Sequence, residues 1–317
     1  MYWMMLVILL IAFGLLTVFR AQRFTNKAEA NTPPIGQFIK VDGVSMHYIK
    51  QGSGPVLLMI HGAGGHLKDF TYDHVTRFAK DFTVIAFDRP GHGYTPVLGE
   101  TATLAKQAQL ITQAATQLGV KSAYIMGFSY GGALALHLAT QYQDFVKGLV
   151  LISAVSMPWP GKISITYRLM AKPIIGPAIM AFATAYFGDA YFRTTYATVF
   201  APQETPKGYL DHVGVNMSVR FRHFVENARQ LQNLHSQILA QFDNYKNLTL
   251  PIEMIHGTSD PTVPNQTHAC EFIKLVPQAN LVLIPGMAHG THQLAIPEIE
   301  KAVYAVSSSD EKAVRKA

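Results

Sequence analysis

From Met1 to Phe19 the chain is uncharged and apolar apart from Gly14 and Thr17, and Arg20-Ala21-Gln22-Arg23 ends the run abruptly. About twenty such residues cross a bilayer core as a helix. Residues 1–19 are therefore expected as a single-pass N-terminal anchor, and residues 20–35 as a polar linker stiffened by Asn31-Thr32-Pro33-Pro34. A cleaved signal peptide is the competing reading, since Ala28-Glu29-Ala30 has the small-x-small form. The apolar region is too long for it, lacks a basic leader and is separated from that site by charges. The basic cluster follows the span, which places the bulk of the chain on the cytoplasmic side, with an extracytoplasmic placement as the alternative.

Beyond the linker the pattern becomes that of strands. Gln37–Val41 and Val44–Ile49, divided by Asp42-Gly43, read as a hairpin with a two-residue turn. Pro55–Ile60, Phe82–Phe87, Tyr124–Phe128 and Val146–Ile152 are short continuous apolar runs, as parallel strands buried on both faces should be. Helical spacing lies between them, notably over Thr101–Leu118. Such alternation predicts an α/β fold with a mostly parallel sheet covered by helices on both faces. After Ser153 the alternation stops. Through Lys246 the chain is helical in flavour and rich in aromatics and methionine, and the strand pattern resumes at Leu248–Ile255 and Asn280–Ile284. The expected organisation is a core over residues 36–153 and 247–306, a helical lid over 154–246 and a frayed polar tail over 307–317. Most lid aromatics between Tyr167 and Phe200 are expected to pack among themselves and some to line a pocket, while Ile174–Phe187 could instead lie on the bilayer surface.

The chemistry centres on Gly127-Phe128-Ser129-Tyr130-Gly131-Gly132, an apolar run that breaks into Gly-x-Ser-x-Gly and enters a helix. A sharp strand-to-helix turn holds its apical residue in a costly backbone conformation, tolerable where Gly127 and Gly131 flank it. The result is an exposed serine hydroxyl at a helix N-terminus, suited to a nucleophile. A serine hydroxyl needs a base, and the base an orienting carboxylate. Asp260 follows the strand ending at Ile255, and His289 follows the strand ending at Ile284. His292 is the competing base. His256, His61 and His92 are read as loop-fixing, and Asp88 as a turn residue paired with Arg89. The loop after Ile152 contains no Asp or Glu down to Pro160, which favours Asp260 as the acid. The oxyanion donors are expected to be the N–H groups of Tyr130 and Ala63, with Gly64 the alternative to Ala63.

Composition narrows the partners. Hydrophobic content is 49 %, the net charge is +6 and there is one cysteine. The charge is spread along the chain, which fits a membrane-attached protein and gives no nucleic-acid footprint. Cys270 cannot form an internal disulfide and reads as buried filler. Neither a metal-ligand cluster, a dinucleotide fingerprint nor a P-loop is present, so no cofactor or metal is expected. The sequence sets no oligomeric state.

Four motifs together carry a resemblance: His61-Gly62-Ala63-Gly64-Gly65, Asp88-Arg89-Pro90-Gly91-His92-Gly93, the Ser129 turn, and the Asp260 and His289 loops. Over roughly residues 36 to 306 the chain resembles lidded α/β-hydrolase-fold enzymes, a group that includes esterases, carbon–carbon bond hydrolases, haloalkane dehalogenases and epoxide hydrolases. The last two use an aspartate where this chain has Ser129. The resemblance thus implies a carboxylesterase-like serine hydrolase acting on a small hydrophobic ester or related acyl compound through Ser129, His289 and Asp260. The alternatives are a carbon–carbon hydrolase of a diketo acid, for which Arg168, Arg193, Arg220 and Arg222 could supply positive charge, and a non-enzymatic binding protein with the same fold.

Overall fold

A computed structural model describes residues 1–314. Helix α1 (Tyr2–Asn31) is followed by the hairpin β1 (Gln37–Val41) and β2 (Val44–Gln51). Asp42 and Gly43 both have positive φ, 50° and 80°, and Val41 pairs with Val44, as a two-residue turn of the primed type requires. The chain then alternates: β3 (Val56–Ile60), the short helices α2 (Lys68–Thr71) and α3 (His74–Phe78), β4 (Thr83–Phe87), α4 (Leu104–Gln117), β5 (Ala123–Phe128), α5 (Tyr130–Gln141) and β6 (Val146–Ile152). Helices without a strand follow: α6 (Ile165–Met170), α7 (Ile175–Tyr186), α8 (Asp189–Ala197), α9 (Tyr209–Val213) and α10 (Phe221–Gln241). The sheet resumes with β7 (Ile252–Gly257), α11 (Ala269–Leu275), β8 (Asn280–Ile284), α12 (Thr291–Leu294) and α13 (Ile296–Val314).

The eight strands form one sheet in the order β1-β2-β4-β3-β5-β6-β7-β8, parallel from β4 to β8 and antiparallel where β2 joins it. Alternate residues of each central strand serve opposite layers, as a period of two demands. Leu57, Met59, Val84, Ala86, Tyr124 and Met126 pack with α3 and α13, whereas Leu58, Ile60, Ile85 and Ile125 pack with α4 and α5. Strand order reverses at β3, which lies between β4 and β5. Ligands on open α/β sheets bind at such a reversal, beyond the C-terminal strand ends. Ile60 is in register with Gly127, so the loops that follow β3 and β5 begin side by side at that point.

The segment expected as a linker, residues 20–35, is helical as far as Asn31. Thr17, Ala21, Phe24 and Ala28 recur at helical spacing and face the protein, while Gln22, Arg23, Asn26 and Lys27 are exposed. Pro33 and Pro34 then stop the helix. The segment expected as a tail is also helical to Val314, continuing the helix whose apolar face Ile299, Ala302, Val303 and Val306 is buried on the sheet; residues 315–317 lie outside the described residues.

Candidate active site

Ser129 sits at the turn between β5 and α5 with φ 53° and ψ −115°. The strain is held by hydrogen bonds on both sides: its N–H donates to Ile152 O (3.0 Å), and its carbonyl accepts from Gly132 N (3.0 Å) and Val155 N (3.1 Å). The flanking glycines are sterically required. A Cβ on Gly127 would meet Gly131 O at 2.5 Å, and one on Gly131 would meet Ile60 O at 2.1 Å.

Around Ser129 the structure brings His289 and Asp260 together. His289 Nε2 lies 3.0 Å from Ser129 Oγ, and His289 Nδ1 lies 2.6 Å from Asp260 Oδ2. The other Asp260 oxygen accepts the N–H groups of Thr262 and Val263, both at 2.9 Å. Burial pushes the Asp260 carboxyl up, but the His256 and His289 rings and the Val263 N–H overcome it and hold the group well below the usual carboxylate range. His289 Nδ1–H therefore has an anionic acceptor, and Nε2 is left free to accept the Ser129 proton.

The competing histidines are committed elsewhere. His292 stacks on Phe128 with ring centroids 3.8 Å apart, its Nε2 lies 3.3 Å from Tyr209 Oη, and burial drives its pKa well down. His61 donates from Nδ1 to Gly62 O (2.9 Å) and accepts Arg89 N–H at Nε2 (3.0 Å). His256 Nε2 donates to Val263 O at 2.7 Å, and His92 Nδ1 to Pro90 O at 3.2 Å.

The loop after β3 stands against the same turn, since a Cβ on Gly62 would lie 3.3 Å from Ser129 Cβ. Gly64 donates its N–H to Asn227 Oδ1 of α10 at 2.8 Å, which takes it out of contention as an oxyanion donor. Among the described residues, neither the Ala63 nor the Tyr130 N–H has a backbone acceptor in the surrounding turns. Asp88 departs from its expected partner: it pairs with His47 Nδ1 (2.6 Å) and accepts Leu67 N and Tyr94 N. Arg89 turns the other way, donating to His61 O, Gly62 O, Gln107 and Gln230 and lying over the Tyr130 ring. Its guanidinium reaches Gln107 of α4 and Gln230 of α10, whereas the Asp88 carboxylate is taken up by the His47 ring and two backbone donors.

These groups open into a cavity of about 650 Å³ between the sheet and the helical insertion. Trp159, Tyr167, Tyr196, Leu231 and Leu234 give it a mainly apolar wall. Of the aromatics expected in the insertion, Phe192 and Phe200 are buried, while Phe182, Phe187 and Tyr191 are exposed. None of Arg168, Arg193, Arg220 and Arg222 lines the cavity; Arg193 pairs with Asp211, and Arg220 with Glu29. Among the described residues, no three His, Cys, Asp or Glu side chains converge as metal ligands.

Sequence reasoning missed a second buried acid in this wall. Asp69 Oδ1 accepts hydrogen bonds from Tyr209 (3.0 Å) and Tyr196 (3.4 Å), and a Cβ on Gly65 would lie 2.2 Å from its Oδ2. Burial raises this carboxyl to about 7, against the pull of the two tyrosines. Nothing in the local sequence marks it, because both hydroxyls arrive from more than a hundred residues away. In the unfolded chain the group titrates near 4, so between about pH 4 and pH 7 the folded state holds the extra proton. Stability should fall as pH rises through that window. Asp69→Asn keeps the acceptor and removes the titration. Its loss of unfolding free energy between pH 5 and pH 8 should be smaller than that of the wild type, by a difference on the order of a few kcal/mol; equal pH profiles would show that the carboxyl titrates normally.

Comparison with known proteins agrees with this architecture. Residues 55–208 match the family model described as alpha/beta hydrolase fold. A Burkholderia ambifaria alpha/beta hydrolase fold protein superposes with TM-score 0.71 at 17 % identity, over 84 % of this chain and 96 % of that one. The chain has the α/β-hydrolase fold. Among curated relatives, the dihydrolipoyllysine-residue acetyltransferase component of the acetoin cleaving system of Cupriavidus necator is 31 % identical over 44 % of this chain. That alignment spans only 39 % of the relative's length. The pimeloyl-[acyl-carrier protein] methyl ester esterase of Vibrio vulnificus is 26 % identical over 77 % of this chain and 91 % of its own.

Proposed function

We propose that this chain is a membrane-attached serine esterase in which Ser129, His289 and Asp260 form the catalytic triad and residues 154–246 form the lid. The observation that carries the reading is the continuous Ser129–His289–Asp260 hydrogen-bonded line, 3.0 Å and 2.6 Å, at the floor of an apolar cavity. Ser129 Oγ attacks the ester carbonyl as its proton passes to His289 Nε2. The Ala63 and Tyr130 N–H groups receive the developing oxyanion, and Asp260 stabilises the imidazolium. His289 then protonates the departing alcohol, leaving an acyl-Ser129. Water, deprotonated by the same ring, releases the acid.

The similarity to a methyl ester esterase along most of that relative supports the ester as the bond cleaved. A diketo acid would bring a carboxylate into a wall whose cation is Lys162 and which none of the four insertion arginines lines, so this reading has less support than the ester. A fluorophosphonate probe tests the proposal. Wild type solubilised in detergent should be labelled at Ser129 within minutes, and labelling should be absent in Ser129→Ala and at least a hundredfold slower in His289→Ala. A folded wild type that takes no label would sink the triad and favour a binding protein.

A further inference from the structure

Helix α1 is not free of the protein along its length. Residues 1–16 are all exposed, although Phe13 already touches the insertion, and from Thr17 the helix is docked on it. Phe13 stacks on Tyr186 of α7 at 5.9 Å, Thr17 Oγ1 lies 3.0 Å from Tyr186 Oη, Arg20 stands over the same ring, and Phe24 meets Phe192. A helix rises about 1.5 Å per residue, so the exposed sixteen residues reach only about 24 Å, short of the ~30 Å hydrocarbon core. If α1 spans the membrane, its next turn must enter the hydrocarbon too, and that turn is the one packed on α7. The span therefore sets the depth of α7.

The outward face of α7 is built for that depth. Ile175, Ala178, Ile179 and Phe182 form a stripe at helical spacing, and all are exposed, with Phe182 46 % accessible. Ile174, at 84 % accessible, extends the patch on one side and Phe187 on the other. A helix bathed in water would carry polar residues there. Between Gly161 and Gly188 the sequence has no carboxylate, and its three charges are the exposed cations Lys162, Arg168 and Lys172. Arg20 and Arg23 add two more on the adjoining turn of α1. An apolar stripe rimmed by cations matches the acyl boundary and anionic headgroups of a bilayer.

We propose that the α6–α7 face is a bilayer-docking surface that sits in the headgroup–acyl boundary beside α1 and admits lipophilic substrate to the cavity from the membrane. This rests on α1 as a span and, for the second part only, on the esterase reading. The cavity supports the link. Ile163, Ser164 and Tyr167 line it, while Ile165 and Leu169 on the same short helix are exposed to the outside, 60 % and 40 % accessible. The membrane-facing surface and the cavity wall are thus one element.

The test uses the full chain in phosphatidylcholine–phosphatidylglycerol vesicles with Cys270→Ser as background. An environment-sensitive fluorophore at Ile179→Cys or Phe182→Cys should be quenched severalfold by lipids carrying a shallow acyl nitroxide. At Lys121→Cys, just before the N-terminal end of β5 and so at the opposite strand end from the Ser129 turn, it should not be. Quenching at Leu9→Cys but not at residues 179 and 182 would overturn the proposal. So would a signal at 179 and 182 that follows protein concentration and ignores nitroxide lipid, which would make the face a contact between copies. For substrate entry, the triple change Ile175→Asn, Ile179→Asn, Phe182→Asn should raise KM for a long-chain ester dissolved in the vesicles about tenfold and leave KM for a water-soluble acetyl ester unchanged. Equal rises for both would refute entry from the membrane. Quenching needs no turnover, and labelling at Ser129 reports the triad separately, so failure of the esterase reading and failure of docking are distinguishable.

Discussion

Ser129→Ala should lower kcat for a short-chain ester by about 10⁴- to 10⁶-fold with little change in KM. Under the proposed mechanism, removing Oγ deletes the atom that bonds to the acyl carbon while leaving the cavity, the proposed Ala63 and Tyr130 donors and the apolar wall in place. Binding survives and the covalent step does not. The fold should tolerate the change, because the strain at this position is held by backbone bonds to Ile152, Gly132 and Val155 that alanine keeps. His289→Ala should cost a similar factor, and the double variant little more, since the two groups act as one unit. Asp260→Asn should cost about 10⁴-fold, because an amide in place of Oδ2 lets the ring adopt the tautomer with its proton on Nε2. Steady-state kinetics with the four proteins at matched concentrations decides the point. Losses that multiplied independently would mean that the three side chains do not cooperate.

How much of this was legible in the sequence follows from the distance over which each feature is encoded. The parallel sheet and the turn at Ser129 are local: apolar runs of five to seven residues ending in glycine-rich loops announce both. Asp260 and His289 could be placed at strand ends on the same grounds. Helix α1 was expected to end near Phe19 because the polarity changes there. Its continuation to Asn31 depends on a face of Thr17, Ala21, Phe24 and Ala28 that acquires meaning only once α7 and α8 are there to receive it. Asp88 and Arg89 are neighbours in sequence, and pairing them was the economical guess. The fold sends their side chains to opposite sides, one to His47 and the other to α10. Gln107, Asn227 and Gln230 carry no motif at all. They come from helices separated by more than a hundred residues, and only the assembled structure makes them partners of the loops that flank Ser129.

Arg89 gives the second large expected effect. Its guanidinium is wholly buried, yet none of its hydrogen-bond partners among the described residues is a carboxylate: it donates to His61 O (3.1 Å), Gly62 O (2.9 Å), Gln107 Oε1 (3.0 Å) and Gln230 Oε1 (2.8 Å). Burial lowers its pKa to about 10, which still leaves it charged at neutral pH. Replacing it with methionine removes a desolvated cation and at the same time takes the donor from His61 O and Gln107 Oε1, while Gly62 O keeps its bond from His61 Nδ1. These changes oppose each other, at several kcal/mol for the ion and about 1–3 kcal/mol for each orphaned acceptor. The net loss of stability in Arg89→Met should therefore be modest, about 1–3 kcal/mol. Activity should suffer more. Arg89 also holds the His61 and Gly62 carbonyls, immediately before Ala63, so the clamp fixes where the Ala63 N–H points; if that N–H is the oxyanion donor proposed above, misplacing it costs about 10²- to 10³-fold in kcat. Arg89→Lys should not rescue, because one ammonium cannot reach carbonyls and glutamine oxygens on both sides as the fork does. The measurement is kcat and KM alongside the melting temperature. A fall in kcat at nearly constant KM in a protein that still melts cooperatively makes Arg89 a positioning residue for the oxyanion loop, whereas unchanged kcat would reduce it to core filling.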